Sequence, residues 1–167
     1  PALDGALPDG GWPLGTLVEV LLPEHGIGEL QLLLPALRNA ARGGWFAFVA
    51  PPHAPYAPAL AQAGVDPERV LRVDVPATAD RLWAVEQALR SRACDAVLAW
   101  LDVVDGRWLR RLCLAAEGGP TLSVAFRPLR RAREASPASL RLALEPDGAT
   151  LDVRIVKGRG GPRLVRN

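Results

Sequence analysis

Thr16-Leu17-Val18-Glu19-Val20-Leu21-Leu22 runs into Pro23-Glu24-His25-Gly26-Ile27-Gly28, and then into residues 29 to 42, where Leu30, Leu33, Leu34, Leu37 and Ala41 recur at helical spacing. The first run is apolar and carries β-branched residues, the mark of a buried strand. The second is a turn. The third is an amphipathic helix, closed by Gly43-Gly44. Pro35 lies inside it and predicts a kink or a late helix start. Strand, glycine-bearing turn and helix in this order mark the first crossover of many α/β proteins. The turn is where such proteins grip phosphate, because backbone N–H groups and the helix dipole converge there.

Outward from this unit the same alternation continues. Residues 45 to 50 (WFAFVA) are a short continuous apolar run, as a strand covered on both faces is. A Pro-rich loop follows, then a helix over 57–63 closed by Gly64, and a strand over 69–73. Residues 78–92 form a helix with Leu82, Val85 and Leu89 on one face. Residues 95–101 form another covered strand, 105–117 a helix with Trp108, Leu109, Leu112, Cys113 and Ala116 inward, and 120–126 a strand. This rhythm predicts an α/β fold whose mainly parallel central sheet is flanked by helices. The ending differs. Leu140, Leu142 and Leu144 alternate with other residues, and so do Leu151, Val153 and Ile155, around Pro146-Asp147-Gly148. That pattern predicts a C-terminal antiparallel hairpin with one wet face. The segment before Thr16 is turn-rich and reads as a lead-in loop. Trp45, Trp83 and Trp108 lie in or beside apolar patterns and read as core or half-buried; Trp12 packs beneath the lead-in.

A length of 167 residues implies one domain over 1–167, and 49% hydrophobic residues suffice for its core. The chain opens on Pro1 and has no Met, so we expect N- and C-terminal tails that are absent from it. No stretch has the apolar length of a membrane span. Cys94 and Cys113 form neither a disulfide framework nor a metal spacing, so both read as buried thiols of a reducing cytoplasm. Charge is uneven. Residues 1–126 carry ten Arg against fourteen acids, whereas residues 127–167 carry nine Arg and Lys157 against four. A basic end of this kind meets nucleic acid or an acidic partner, or is simply a solvated edge.

A working phosphate loop has Gly, four residues, Gly, Lys and then Ser or Thr. The Lys supplies charge and the hydroxyl holds magnesium. Here, with Gly28 as the second glycine, the Lys position holds Glu29 and the hydroxyl position Leu30. Shifted by one, those positions hold Gly28 and Glu29. At an effective dielectric of about 20, a like-charge pair 4 Å apart costs about 4 kcal/mol. Micromolar binding is worth only about 8 kcal/mol. Gly26 and Gly28 then serve the chain's turn rather than a ligand. His25 and His53 have no partner at metal spacing, so neither a metal nor a cofactor is expected.

Four stretches give the chain a wider likeness. They are Ala2-Leu3-Asp4 with Gly10-Gly11-Trp12-Pro13-Leu14-Gly15, residues 46–66 ending in Gly64-Val65-Asp66, residues 70–101, and Val156-Lys157-Gly158-Arg159-Gly160-Gly161-Pro162. In order and spacing they resemble the RecA family, and within it the ImuA branch associated with bacterial translesion DNA synthesis. The resemblance covers most of the chain. It implies a RecA-like core, and it makes the departures informative. In RecA a Glu after the second strand activates the attacking water; that place here is Pro52. An Asp ending a later strand assists the metal; that place is Trp100, which we expect to occupy the nucleotide's space. Phosphoryl transfer depends on such positioned charges. The resemblance therefore implies a pseudo-ATPase without cofactor, catalytic residue or small-molecule substrate.

The first DNA-binding loop of the family is reduced to almost nothing after Trp100. The second is shortened to residues 127–137, where Arg127, Arg130, Arg131 and Arg133 are candidate contacts for a partner or for DNA. No aromatic interleaves with them, so base stacking is not expected. Lys157 and Arg159 match residues that in RecA filaments reach a neighbour's nucleotide, and are candidate contacts to RecA itself. As the resemblance implies, the chain is an adaptor of the SOS response with RecA and the polymerase-like ImuB as partners. The alternatives are a SulA-type cell-division inhibitor that targets FtsZ, a weak single-stranded DNA binder, and an ATPase with an unorthodox site.

Overall fold

The structure is a computed structural model that describes residues 2–166; Pro1 and Asn167, the ends of the expected domain, lie outside the described residues. In chain order the strands are β1 (Thr16–Leu22), β2 (Trp45–Val49), β3 (Val70–Val73), β4 (Cys94–Trp100), β5 (Leu122–Pro128), β6 (Leu140–Asp147), β7 (Thr150–Lys157) and β8 (Arg163–Arg166). The helices are α1 (Ala2–Ala6), α2 (Glu29–Ala40), α3 (Ala57–Gln62), α4 (Thr78–Ser91) and α5 (Gly106–Ala116). One sheet carries the strands in the order β3-β2-β4-β5-β1-β6-β7-β8. From β3 to β6 all neighbours are parallel, and β7 and β8 join antiparallel. The fold is thus α/β with a mainly parallel sheet and an antiparallel C-terminal extension, as the alternation predicts.

Two apolar layers hold the helices to the sheet. On one face Leu33 and Leu37 of α2, Leu60 of α3 and Leu3 of α1 pack against Val18, Val20, Phe46, Phe48 and Trp100. On the other, Leu82, Val85 and Leu89 of α4 and Leu109 and Leu112 of α5 pack against Leu17, Val49, Val97 and Ala99. The end of α2 is tied to β4 by polar contacts as well. The Arg42 and Gly44 N–H groups donate to Asp95 Oδ2 at 2.7 and 2.8 Å.

Several expectations change. The lead-in is not all loop, since Ala2–Ala6 is helical and Leu3 and Leu7 are buried. Helix α2 starts at Glu29 and runs through the exposed Pro35. The stripe of Leu33, Ala36, Leu37 and Ala40 buried against the sheet offsets the lost backbone bond, a defect of about 3 kcal/mol. Strand β6 has no wet face over Leu140–Leu144, because it is an interior strand between β1 and β7. Strand β8 adds a further antiparallel partner to the hairpin. Trp45 and Trp83 are exposed rather than core residues, and Trp108 is half-buried.

Candidate functional site

The β1–α2 turn sits at the carboxyl end of β1, where an α/β sheet offers its crevice. Gly26 and Gly28 both take left-handed backbone conformations, with φ of 83° and 105°. A side chain at either position would be strained. Gly28 caps α2, and Glu29 opens it. The Glu29 carboxylate is buried and turns back on the loop, where its Oε1 accepts the Gly26 N–H at 2.9 Å. A backbone donor at the helix N-terminus, the kind of group that would hold a phosphate oxygen, is thereby taken by the chain's own anion.

The five residues singled out at the nucleotide position do not line one pocket. Pro52 and Trp100, with His25, Asp74, Arg81 and Asp102, line a cleft of about 440 Å³ above the ends of β2, β3 and β4. Gly26 and Gly28 line a second hollow of about 510 Å³, facing Gly148 to Leu151 at the tip of the β6–β7 hairpin. Trp100 is 4% exposed and stacks on Phe126, with ring centroids 4.6 Å apart; Phe48 lies 6.2 Å away. It belongs to the core under α2 and walls the first cleft without plugging it. Its indole Nε1 is buried with no hydrogen-bond partner among the described residues. The cleft presents two carboxylates, Asp74 and Asp102, against the cation of Arg81. The Arg81 Nε is engaged in donating to the Val75 carbonyl at 2.8 Å, and Asp74 is paired with Arg72. With Asp74 paired to Arg72 and Arg81 facing Asp102, the walls offer no cationic excess to hold a polyphosphate.

The arginine segment is also divided. Arg127 is not a surface contact: it is 1% exposed and points into the molecule. Its Nη1 donates to Glu19 Oε1 at 3.2 Å and its Nη2 to the Val104 carbonyl at 3.1 Å. Glu19, fully buried in mid-β1, also takes Arg141 Nε on Oε2 at 2.7 Å and the Ser136 hydroxyl on Oε1 at 2.8 Å. The rest of the Arg141 fork donates to the carbonyls of Arg131, Ala132 and Glu134, at 2.9 to 3.1 Å. Residues 129–133 form a 3₁₀ turn over this fork. Arg131 pairs with Glu134 at 2.6 Å, while Arg130 and Arg133 are exposed. Lys157 Nζ donates to the Ser136 carbonyl at 2.7 Å, so Lys157 is joined to the same segment; the exposed Arg159 stands two residues on. Part of the basic excess of the C-terminal quarter therefore neutralises one buried glutamate.

Sequence reading passes over that glutamate, although a signal for it exists. Glu19 is the lone charge in an apolar strand, and a charge there demands a buried partner. Which arginines answer it depends on strand order, with β1 between β5 and β6, which no local pattern encodes. His25, Asp74 and Asp102 follow three different strands, β1, β3 and β4, and Arg81 stands on α4, so only the fold brings the four together.

No family model matches the chain. It is 32% identical to protein ImuA of Caulobacter vibrioides over 123 residues, which is 70% of this chain and 50% of that protein. It is 31% identical over 114 residues to the cell division inhibitor SulA of Photorhabdus laumondii, covering 66% of this chain and 63% of the relative. Protein RecA of Acidothermus cellulolyticus is 39% identical over 99 residues, 58% of this chain but 28% of that protein. The chain thus spans less than two thirds of the length of each. Among solved structures, SulA from Pseudomonas aeruginosa superposes with a TM-score of 0.53 at 28% identity, over 70% of this chain and 99% of that one. Fold and matches agree: the chain belongs to the RecA/SulA-like superfamily, and its likenesses to ImuA and to SulA carry equal weight.

Proposed function

We propose that the chain is a non-catalytic RecA-like adaptor of the DNA-damage response, of the ImuA type, that binds RecA or an ImuB-like polymerase homologue during translesion synthesis. The observation that carries this reading is the Glu29 carboxylate seated on the Gly26 N–H, in a turn without lysine or hydroxyl. Pro52 and Trp100 at the water-activating and metal-assisting places support it. A turn that satisfies its own donor with a carboxylate gains little from a triphosphate. The surviving function of such a core is contact with other proteins, and Arg130, Arg131, Arg133, Lys157 and Arg159 are its proposed contacts. DNA is at most a weak ligand of the same segment.

Two measurements test the reading. A magnesium-ATP titration yields no saturable binding in the micromolar range; saturation with turnover would overturn the proposal. Purified RecA and an ImuB homologue are retained by the immobilised chain, and loss of both would sink it. A second reading is favoured by a specific observation: the solved SulA chain is covered over 99% of its length. On that reading the partner is FtsZ, and the chain suppresses FtsZ polymerisation. RecA or ImuB retention without an effect on FtsZ separates the two.

A further inference from the structure

The cleft above the ends of β2, β3 and β4 lacks the cationic excess that a polyphosphate needs, yet it is a formed pocket of about 440 Å³. Its apolar wall is Ala50, Pro51, Pro52, Val75, Pro76 and Trp100. Three of these six are prolines, whose fixed φ leaves the wall little room to relax, so the cleft is shaped before anything enters it. Ala50, the residue after β2, is held at φ 52°, in the left-handed region that a residue with a side chain rarely enters. Its N–H donates to the Val73 carbonyl at 2.8 Å, which pins it there. Backbone strain of this kind gathers at ligand sites. Trp100, in the same wall, carries the buried indole N–H for which the described residues supply no acceptor. Buried donors left in that state are rare.

The charged groups of the cleft are divided in a particular way. Asp74 commits its carboxylate to Arg72 at 2.6 Å. Arg81 Nε donates to the Val75 carbonyl at 2.8 Å, which fixes the guanidinium and leaves both Nη groups without a partner among the described residues. Asp102 is also without a partner among the described residues, and it does not pair with Arg81 although both line the cleft. His25 is exposed at the same rim. One unpaired cation and one unpaired anion thus share a small cleft with an apolar wall. A wholly apolar ligand would desolvate both charges with no compensation. A simple anion meets Asp102 as a like charge, and a simple cation meets Arg81 in the same way. A ligand that carries both signs a few bonds apart satisfies each. Its carboxylate takes the two Nη groups of Arg81 side by side, and its ammonium donates to Asp102.

We propose that this cleft binds a small zwitterion, an α-amino acid with an apolar side chain, its carboxylate on Arg81, its ammonium on Asp102 and its side chain against Pro52 and Trp100. The ligand is held and not transformed, and the proposal is independent of the adaptor reading. It is tested by calorimetric titration of the intact chain with L-leucine. Binding saturates with a Kd of about 1 mM or below. L-leucinamide, which lacks the carboxylate, and N-acetyl-L-leucine, which lacks the ammonium, each bind about tenfold or more weakly. Arg81→Gln and Asp102→Asn each reduce leucine affinity by about tenfold or more. Because Arg81 also holds the Val75 carbonyl, Asp102→Asn is the decisive variant: its side chain is exposed, and its thermal melt stays near the parent's. Arg130→Glu/Arg133→Glu, outside the cleft lining, leaves leucine affinity unchanged. No saturation up to about 10 mM would overturn the proposal. So would equal binding of either blocked leucine, affinity indifferent to Asp102→Asn, or displacement of leucine by adenosine. A chain that retains RecA, ImuB or FtsZ but binds no leucine loses this site and keeps its partner role. A chain that binds leucine and retains none of the three loses the adaptor reading instead.

Discussion

Removing the Glu19 carboxylate would leave two guanidinium groups, Arg127 and Arg141, without their anion in a place that water does not reach. Truncating one partner of a buried ion pair typically costs about 3–5 kcal/mol, because the charge left behind stays desolvated. Glu19→Ala is therefore expected to lower the urea midpoint by that equivalent at an unchanged m-value. Glu19→Leu combined with apolar replacements of both arginines should recover much of the loss. A neighbouring group reports on the same region. Burial pushes the Cys113 thiol up to about 11, and the negative charge of Glu19 adds to the rise, against an ordinary value near 9. The folded chain thus holds this proton after the unfolded chain has released it. Stability from this source is complete below about pH 9 and falls as the pH climbs toward 11. Alkylation of native protein by iodoacetamide at pH 8 should be slow at Cys113, and Cys113→Ala should flatten the alkaline fall in stability.

Gly15 shows how closely elements are fitted at the amino end of the sheet. Its φ is 68°, and a Cβ placed on it would lie 2.5 Å from the Gly119 carbonyl oxygen. Its N–H donates to the Thr121 carbonyl, and its own carbonyl accepts the Gly118 N–H, so the starts of β1 and β5 are locked together. Gly15→Ala meets strain and overlap at once and is expected to cost about 1–3 kcal/mol, read from chemical denaturation. At this scale the sequence was largely legible. Continuous apolar runs, the alternation on either side of Pro146-Asp147-Gly148 and the helical spacings locate the strands from β1 to β7 and the helices from α2 to α5. Three features were not legible. Strand β8 carries two arginines in four residues and is recruited by pairing with β7, not by its own pattern. Helix α1 is too short for periodicity to show. The buried second face of β6 follows from its place beside β1, which is a fact of topology. The sequence offers Glu29, Pro52 and Trp100 as one candidate site, but not their geometry: two hollows and an inward Arg127 emerge only when loops of different strands meet.

Across the whole molecule, stability is distributed by depth in the sheet. Strands β1, β4 and β5 lie inside it and are almost wholly buried, whereas β3 and β8 are its edges, four residues each, exposing Leu71 and Arg72 on one and Arg163 and Leu164 on the other. Local opening draws on few contacts at such edges. Native-state hydrogen exchange should therefore release the β3 and β8 amides well before those of β1, β4 and β5, which should exchange only on global unfolding. Uniform protection across the sheet would contradict this ordering. The Arg141 fork adds a different kind of order. By gripping the carbonyls of Arg131, Ala132 and Glu134 it fastens the stretch bearing Arg130 and Arg133 to the interior, and that stretch cannot swing outward without dragging a cation from its counter-ion. Whatever settles there finds a stiff platform: the main chain has surrendered its freedom at folding, and only two long side chains are left to be stilled.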